Sequence, residues 1–352
     1  MITSFTYDIN PSRILFGPGT LSCVGDELNR LGANRALILS TPSQRADAQK
    51  LAEQLGPLAA GVFAEAAMHT PVSVTTKAMA AFEASGADCV VALGGGSTIG
   101  LGKAIAYRND TPQIVVATTY AGSEVTPILG QTEDGVKTTV RHPRILPEVV
   151  IYDPNLTLEL PVAMSVTSGL NAMAHAVEAL YAKDRNPISS MMAVEGIRAL
   201  RDALRVIVTT PADIAARSDA LYGSWLCGSV LGAVGMALHH KLCHTLGGSF
   251  DLPHAETHAI VLPHSAAYNA RAAADTLQPL VDLFGGSIGG GLYDFAQSLG
   301  APLALKDLGL KEAQLDLAAD LAVENPYWNP RPVERDAVRS LLQRAWDGAR
   351  PE

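Results

Sequence analysis

Between residues 36 and 118 the chain alternates short apolar runs with longer stretches of helical pattern, and few architectures accommodate that alternation. The runs are Ala36-Leu-Ile-Leu-Ser40, Ala59 to Phe63, Asp88-Cys-Val-Val-Ala-Leu93 and Gln113-Ile-Val-Val-Ala-Thr118. A strand without a polar face has to be covered on both sides, and a helix between successive strands returns the chain in the same direction. The pattern predicts an α/β unit: a parallel sheet with helices on both faces. The intervening helices are expected from about Gln44 to Leu55, from Pro71 to near Gly86, and from the loop after Leu93 to about Tyr107. Before them, residues 1–35 read as a short polar strand, a Phe16-Gly-Pro-Gly turn and a helix to about Leu31. The rhythm breaks at Ile128 to Arg141, where Asp134-Gly135 lies between strand-like flanks and signals a hairpin. Val149 to Tyr152 is one more strand, and after Pro161 no strong strand run follows. Two domains are expected: residues 1–157, α/β with a hairpin insertion, and residues 158–352, all-α. Within the second, Gly285 to Gly291 reads as a loop and the terminal Arg350-Pro-Glu as frayed.

Composition narrows the class of function. The chain has 352 residues, is 48% hydrophobic and carries a net charge of −9 without basic runs, which argues against a nucleic-acid partner. Cys23, Cys89, Cys227 and Cys243 form no Cys-x-x-Cys pair and read as buried thiols of a reducing compartment. The N-terminus has no basic region followed by an apolar one, and no uninterrupted apolar stretch reaches membrane-spanning length. A cytoplasmic protein with no membrane partner is expected.

Leu93-Gly-Gly-Gly-Ser-Thr-Ile-Gly-Leu-Gly-Lys103 follows a strand and opens a helix. Backbone N–H groups at a helix start favour phosphate, and glycines let it approach. A purely structural strand-to-helix turn is the plain alternative. Thr118-Thr-Tyr-Ala-Gly-Ser-Glu124 also follows a strand end, and ligands of such sheets bind beyond the carboxyl ends of the strands. Two such loops point to a dinucleotide, with Gly94, Gly95, Gly96, Ser97, Thr118, Thr119, Tyr120 and Ser123 as contacts. Ser40 and Thr41 close an earlier strand and join this set. That strand end is neutral, so nothing there rejects a 2′-phosphate, and the cofactor is NADH or NADPH.

In the helical half, Asn171, His175 and Glu178 share one face of a helix by their spacing. Alone they read as a satisfied polar pair in a core. A later stretch changes that weighting: six of the nine histidines fall between 239 and 264. His240 and His244 are an i, i+4 pair, His254 follows a turn, and His258 and His264 lie nearby.

With these motifs the chain resembles the iron-containing alcohol dehydrogenase superfamily, which includes glycerol dehydrogenases and dehydroquinate synthase-like proteins, over nearly its whole length. The resemblance implies a dinucleotide-binding domain whose Gly-Gly-Gly-Ser loop is Gly94 to Ser97, a helical catalytic domain, a cleft between them, and a homodimer. The family's metal ligands map to Asn171, His175, His240 and His254, with His244 beside the active site. Asn171 departs from the family's aspartate. So do Gly100 from the usual aspartate after the glycine loop, the shorter Thr118-to-Glu124 loop, and Lys241, where a small residue commonly follows the ligand histidine that maps to His240. Together these departures resemble the maleylacetate reductase branch, which reduces a carbon–carbon double bond during the degradation of hydroxylated or chlorinated aromatics.

The chemistry of a small dianionic enone agrees with that branch. Hydride added to the alkene carbon β to the ketone leaves an enolate, which needs hydrogen-bond donors or positive charge. His175, His240, His244 and His254 could supply them, with Asn171 as a hydrogen-bonding group and Lys241 attracting a carboxylate. Lys241 projects about 100° around the helix from His240, which weakens its assignment. A required metal is not expected, since Asn171 removes the anionic oxygen ligand, although His175, His240 and His254 could hold one weakly. Tyr327 or Trp328 is a candidate wall of the cleft. Metal-dependent alcohol or polyol oxidation, a dehydroquinate synthase-like lyase and a non-catalytic dinucleotide binder are the competing readings.

Overall fold

A computed structural model describes residues 4–352, and the chain divides into two compact units. The first is Ile9–Leu160, and the second is Pro161–Glu352 together with residues 4–8. The division falls three residues beyond the expected break after residue 157.

The first unit contains strands β1 (Arg13–Phe16), β2 (Ala36–Leu39), β3 (Ala59–Phe63), β4 (Cys89–Gly94), β5 (Gln113–Ala117), β6 (Ile128–Glu133), β7 (Val136–Arg141) and β8 (Val149–Tyr152). Its helices are α1 (Val24–Leu31), α2 (Arg45–Leu55), α3 (Val72–Ser85) and α4 (Gly96–Asn109). Six strands form one sheet in the order β1-β8-β5-β4-β2-β3, with every neighbouring pair parallel. Side-chain alternation along the strands builds two cores. Ile38, Val91, Leu93, Ile114 and Val116 pack with Val24, Leu28 and Leu51 of α1 and α2. Leu37, Leu39 and Val90 pack with Ala78, Phe82, Leu101 and Ile105 of α3 and α4. This is why the runs carry no polar face. β6 and β7 form the expected antiparallel hairpin, turned by Asp134 and Gly135, both at positive φ. The polar strand expected before Arg13 is absent among described residues 4–12, and its first three residues lie outside them; the strand is Arg13–Phe16 itself.

The second unit contains helices α5 (Val162–Leu180), α6 (Pro187–Thr209), α7 (Ile214–Ala233), α8 (Leu238–Phe250), α9 (His254–Asn269), α10 (Ala274–Phe284), α11 (Ile288–Ser298), α12 (Leu315–Val323) and α13 (Arg335–Asp347). α5 is buried on every side from Ser165 to Leu180, which makes it a core helix of this unit. Among the described residues no single helix is long and apolar enough to cross a membrane.

Two expectations fail here. Gly289, Gly290 and Gly291 are not loop but the first turn of α11, with Ser287 capping Gly290. A Cβ on Gly289 would lie 2.6 Å from that of Ala267, and one on Gly291 2.8 Å from that of Phe284. The glycines permit close helix approach, which sequence composition cannot distinguish from a flexible turn. The C-terminus is not frayed either: Arg350 grips Asp294 with two hydrogen bonds of 2.7 and 2.8 Å, and Pro351 is buried.

α6 and α7 also approach through glycine. A Cβ on Gly223 would lie 2.8 Å from the Gly196 carbonyl oxygen and 3.0 Å from the Leu200 nitrogen. Gly223→Ala is therefore expected to lower unfolding free energy by about 1–3 kcal/mol. Urea denaturation checks this, and an unchanged midpoint would mean that the two helices part without cost.

Candidate functional site

Three strand ends of the first unit are tied together. Gln44, just beyond β2, donates from Nε2 to Thr118 Oγ1 at 3.1 Å. The Thr118 N–H donates to the Gly94 carbonyl at 3.1 Å. Gly94 has φ of 157°, and a Cβ there would strike Thr98 Oγ1 at 2.5 Å. A Cβ on Gly95 would strike Thr119 at 2.7 Å, whereas one on Gly96 would meet nothing within 4 Å. The first two glycines thus satisfy packing, and the third leaves the N-terminus of α4 open to a phosphate. Gly96 is exposed, and Ser97, Thr41, Thr119 and Ser123 are half-buried. Ser40 and Tyr120 are fully buried. Thr118 is also buried, engaged by Gln44.

The second loop is held from inside by a charged group. Lys103, on α4, is 1% exposed and donates to the Ser123 carbonyl, to Thr126 Oγ1 at 3.0 Å and to the Ile128 carbonyl at 3.0 Å. Burial pushes the Lys103 ammonium down to about 7, against the opposing pull of Glu124. Glu124 is itself buried, which pushes its carboxyl up, and it accepts a 2.8 Å hydrogen bond from the Tyr152 hydroxyl. Lys103→Met is expected to loosen residues 123–128 and raise the Kd for NADH roughly tenfold, equivalent to about 1.4 kcal/mol. A fluorescence titration reads this, and an unaltered Kd would separate the lysine from the cofactor loop.

In the second unit the polar centre is built around Glu178. The N-cap of α8 is Ala237, whose side chain cannot cap a helix. Glu178 of α5 takes that role from outside. Its Oε2 accepts from the Ala237 N–H at 2.7 Å, and its Oε1 accepts from the His239 N–H at 2.6 Å. A carboxylate also suits the positive end of the helix dipole. Oε2 further accepts from His240 Nδ1 at 2.7 Å, and His240 Nε2 lies 2.8 Å from His175 Nδ1. Asn171, His175, Glu178 and His240 are all buried. The i, i+4 and i+7 spacing on α5 does place Asn171, His175 and Glu178 on one side.

His244, half-buried, hydrogen-bonds Tyr327 through Nδ1 at 3.1 Å, so the C-terminal segment does reach the histidines; the neighbouring Trp328 is 44% exposed. Burial, and then the charge of Glu178, pushes the Tyr327 phenol up. His254 opens α9, and its ring lies 4.3 Å from that of His258, tilted by 58°. Lys241 stands apart from this group. Its ammonium donates to the Glu324 carbonyl at 2.8 Å, as its position one residue beyond His240 implies.

Sequence reasoning gave no role to His239 and His258. His239 Nε2 lies 2.9 Å from His258 Nδ1, and the His258 ring is 5.2 Å from that of His240 and 6.1 Å from that of His175. Burial, then the neighbouring imidazoles, holds both well below the usual histidine range. The clustering of six histidines was the available signal, but it could not separate these two from His264. His264 belongs elsewhere, pushed to about 4 by burial and Arg344.

The donor set fits a tightly held divalent cation poorly. Both His240 nitrogens are engaged, one by Glu178 and one by His175. The position of the expected anionic oxygen is a neutral amide, Asn171. Glu178→Ala would strand three buried donors and is expected to cost about 3–5 kcal/mol in urea unfolding. A loss below roughly 1 kcal/mol would show that water replaces the carboxylate.

Comparison with known proteins agrees along the full length. The family described as iron-containing alcohol dehydrogenase matches residues 11–154, and the C-terminal domain of the Fe-containing alcohol dehydrogenase family matches residues 165–346. A maleylacetate reductase from Rhizobium sp. (strain MTP-10005) is 67% identical over 348 residues, covering 99% of both chains. The crystal structure of a maleylacetate reductase from Agrobacterium tumefaciens superposes with a TM-score of 0.96 at 66% identity, covering 99% of this chain and 100% of that one. A sulfoacetaldehyde reductase from Bifidobacterium kashiwanohense, solved in complex with NAD+, shares the fold with a TM-score of 0.88 at 22% identity, over 97% and 98% of the two chains.

Proposed function

This chain belongs to the iron-containing alcohol dehydrogenase family, and from that premise we infer that it reduces the carbon–carbon double bond of maleylacetate with a nicotinamide cofactor. The reaction consumes maleylacetate, NAD(P)H and one proton, and yields 3-oxoadipate and NAD(P)+. The observation that carries the chemistry is the His175–His240 pair backed by Glu178 and set beside Asn171, where the family pattern has a carboxylate.

Bound with its phosphates at the α4 N-terminus that Gly96 leaves open, a nicotinamide cofactor would supply the hydride for the alkene carbon β to the ketone, which would leave the substrate as an enolate on the ketone oxygen. The residues have to stabilise that oxygen and see the α-carbon protonated. A proton shared across the 2.8 Å His175–His240 contact has the Glu178 carboxylate behind it, so its charge is offset in place. Such a pair can hold positive charge opposite a developing enolate without a metal. His244, braced by Tyr327, and His254, at the N-terminus of α9, are suited to the substrate carboxylates. Asn171 offers hydrogen bonds without adding negative charge near a dianion. No step is assigned to Lys241, whose ammonium is engaged by Glu324.

NADH is the first choice of cofactor, and NADPH is accepted as well, because the neutral strand end at Ser40 and Thr41 carries no carboxylate to repel a 2′-phosphate. The enzyme works in the cytoplasm as a homodimer. The four cysteines, none of them in a disulfide, suit a reducing compartment, and the dimer rests on family resemblance.

The test is maleylacetate-dependent oxidation of NADH and of NADPH by purified protein, with and without chelator. Turnover unaffected by chelation is expected. Loss of activity on chelation, restored by iron or zinc, would sink the metal-free mechanism, and absence of turnover beside a working control would sink the substrate. Asn171→Asp is expected to lower kcat/KM for maleylacetate by about tenfold or more, through one like charge near the dianion, and to raise bound zinc or iron measured by elemental analysis.

A further inference from the structure

The hydrogen bonds around His239 carry a direction, and that direction defines what His258 presents to the site. Ser265 Oγ lies 3.0 Å from the Leu262 carbonyl, which can only accept, and 3.0 Å from His239 Nδ1. A hydroxyl has one hydrogen, so both contacts are satisfied together only if it is given to Leu262. His239 then donates from Nδ1–H to Ser265, and its Nε2 is left as an acceptor. Cys243 Sγ, 3.6 Å from that nitrogen, adds a second weak donor to it. At 2.9 Å, His239 Nε2 therefore accepts from His258 Nδ1–H. The chain ends at His258 Nε2, an acceptor lone pair.

That nitrogen is buried and has no hydrogen-bond partner among the described residues. His258 is 0% exposed, and its ring stands 4.3, 5.2 and 6.1 Å from those of His254, His240 and His175. A buried acceptor left unsatisfied costs about 1–3 kcal/mol, so a lone pair held there is poised for a ligand.

We propose that His258 is a further binding residue of this site, held by Ser265 and His239 in the Nδ1–H tautomer so that its Nε2 accepts a hydrogen from a water molecule bridging to an anionic oxygen of the substrate. A carboxylate or enolate oxygen and a neutral imidazole nitrogen are both acceptors and repel one another directly. Water, with two hydrogens to give, is the small neutral molecule that joins them. Ser265 and His239 are positioning residues in this arrangement. The ligand's identity rests on the reductase reading, whereas the tautomer does not.

The first test is long-range 1H–15N correlation on histidine-15N-labelled wild-type protein at neutral pH. His239 and His258 are expected to show protonated Nδ1 and pyridine-type Nε2. A protonated Nε2 on His258 would overturn the proposal. So would about one equivalent of zinc or copper held by His239, Cys243 and His258, whose ligand atoms all lie within 4.8 Å of one another. The second test is kinetic. His258→Leu is expected to lower kcat/KM for maleylacetate by about tenfold, the size of one lost hydrogen bond, with the Kd for NADH unchanged. His258→Gln, which keeps an acceptor oxygen, should recover much of the loss. Ser265→Ala should broaden or shift the His258 nitrogen signals, and Ser265→Thr should preserve them. A fully active His258→Leu protein would also overturn the proposal. A wild type without maleylacetate turnover would refute the reductase reading, and the tautomer measurement would then decide for His258.

Discussion

The helical unit's polar centre depends on one buried carboxylate. Glu178 is fully enclosed, yet every one of its contacts is a donor: two backbone N–H groups at the start of α8 and the Nδ1–H of His240. An enclosed carboxylate survives only when its lone pairs are filled in this way. Because the donors come from the helix that carries His239 and His240, the same bonds fix where both rings begin. Packing alone would set α8 against α5 to within a rotation. The carboxylate removes that freedom and aligns His240 Nε2 with His175 Nδ1 at hydrogen-bond distance.

Much of the architecture was legible because hydrophobic burial is written in local periodicity. The runs at Ala36, Ala59, Cys89, Gln113 and Val149 all became strands of one parallel sheet, and Asp134-Gly135 turned its hairpin. Misreadings occurred where one residue type serves two physical ends. Glycine at Gly289 and Gly291 signals a loop by conformational freedom but works here by lacking a Cβ between packed helices. Arg350 and Pro351 sit at a chain end, where fraying is the default, and only the spatial proximity of Asp294 reverses it.

The site was legible to the extent that its members share a helix. Asn171, His175 and Glu178 follow from spacing on α5, and His240 with His244 from spacing on α8. Lys103, Gln44 and Ser265 were not recoverable, because each works through partners brought near by tertiary folding: a loop carbonyl, a threonine on another strand end, an imidazole on a neighbouring helix. Burial was not recoverable either: Ser40 and Tyr120 lie at strand ends, where ligands bind, and sequence position does not tell that both side chains are enclosed.

The adjacency of His239 and His240 explains how one helix end organises two chains of hydrogen bonds. Successive residues on a helix point about 100° apart. From the same turn of α8, His240 therefore reaches toward α5 and His239 toward α9. One chain terminates in the Glu178 carboxylate and the other in the Leu262 carbonyl, and both ends only accept. Reduction of an anionic enone calls for hydrogen-bond donors opposite the oxygen that becomes an enolate. An aspartate at position 171 would put a second carboxylate one helical turn from His175, on the face of α5 that carries Glu178. The amide of Asn171 instead offers hydrogen bonds on that face without a second negative charge beside Glu178.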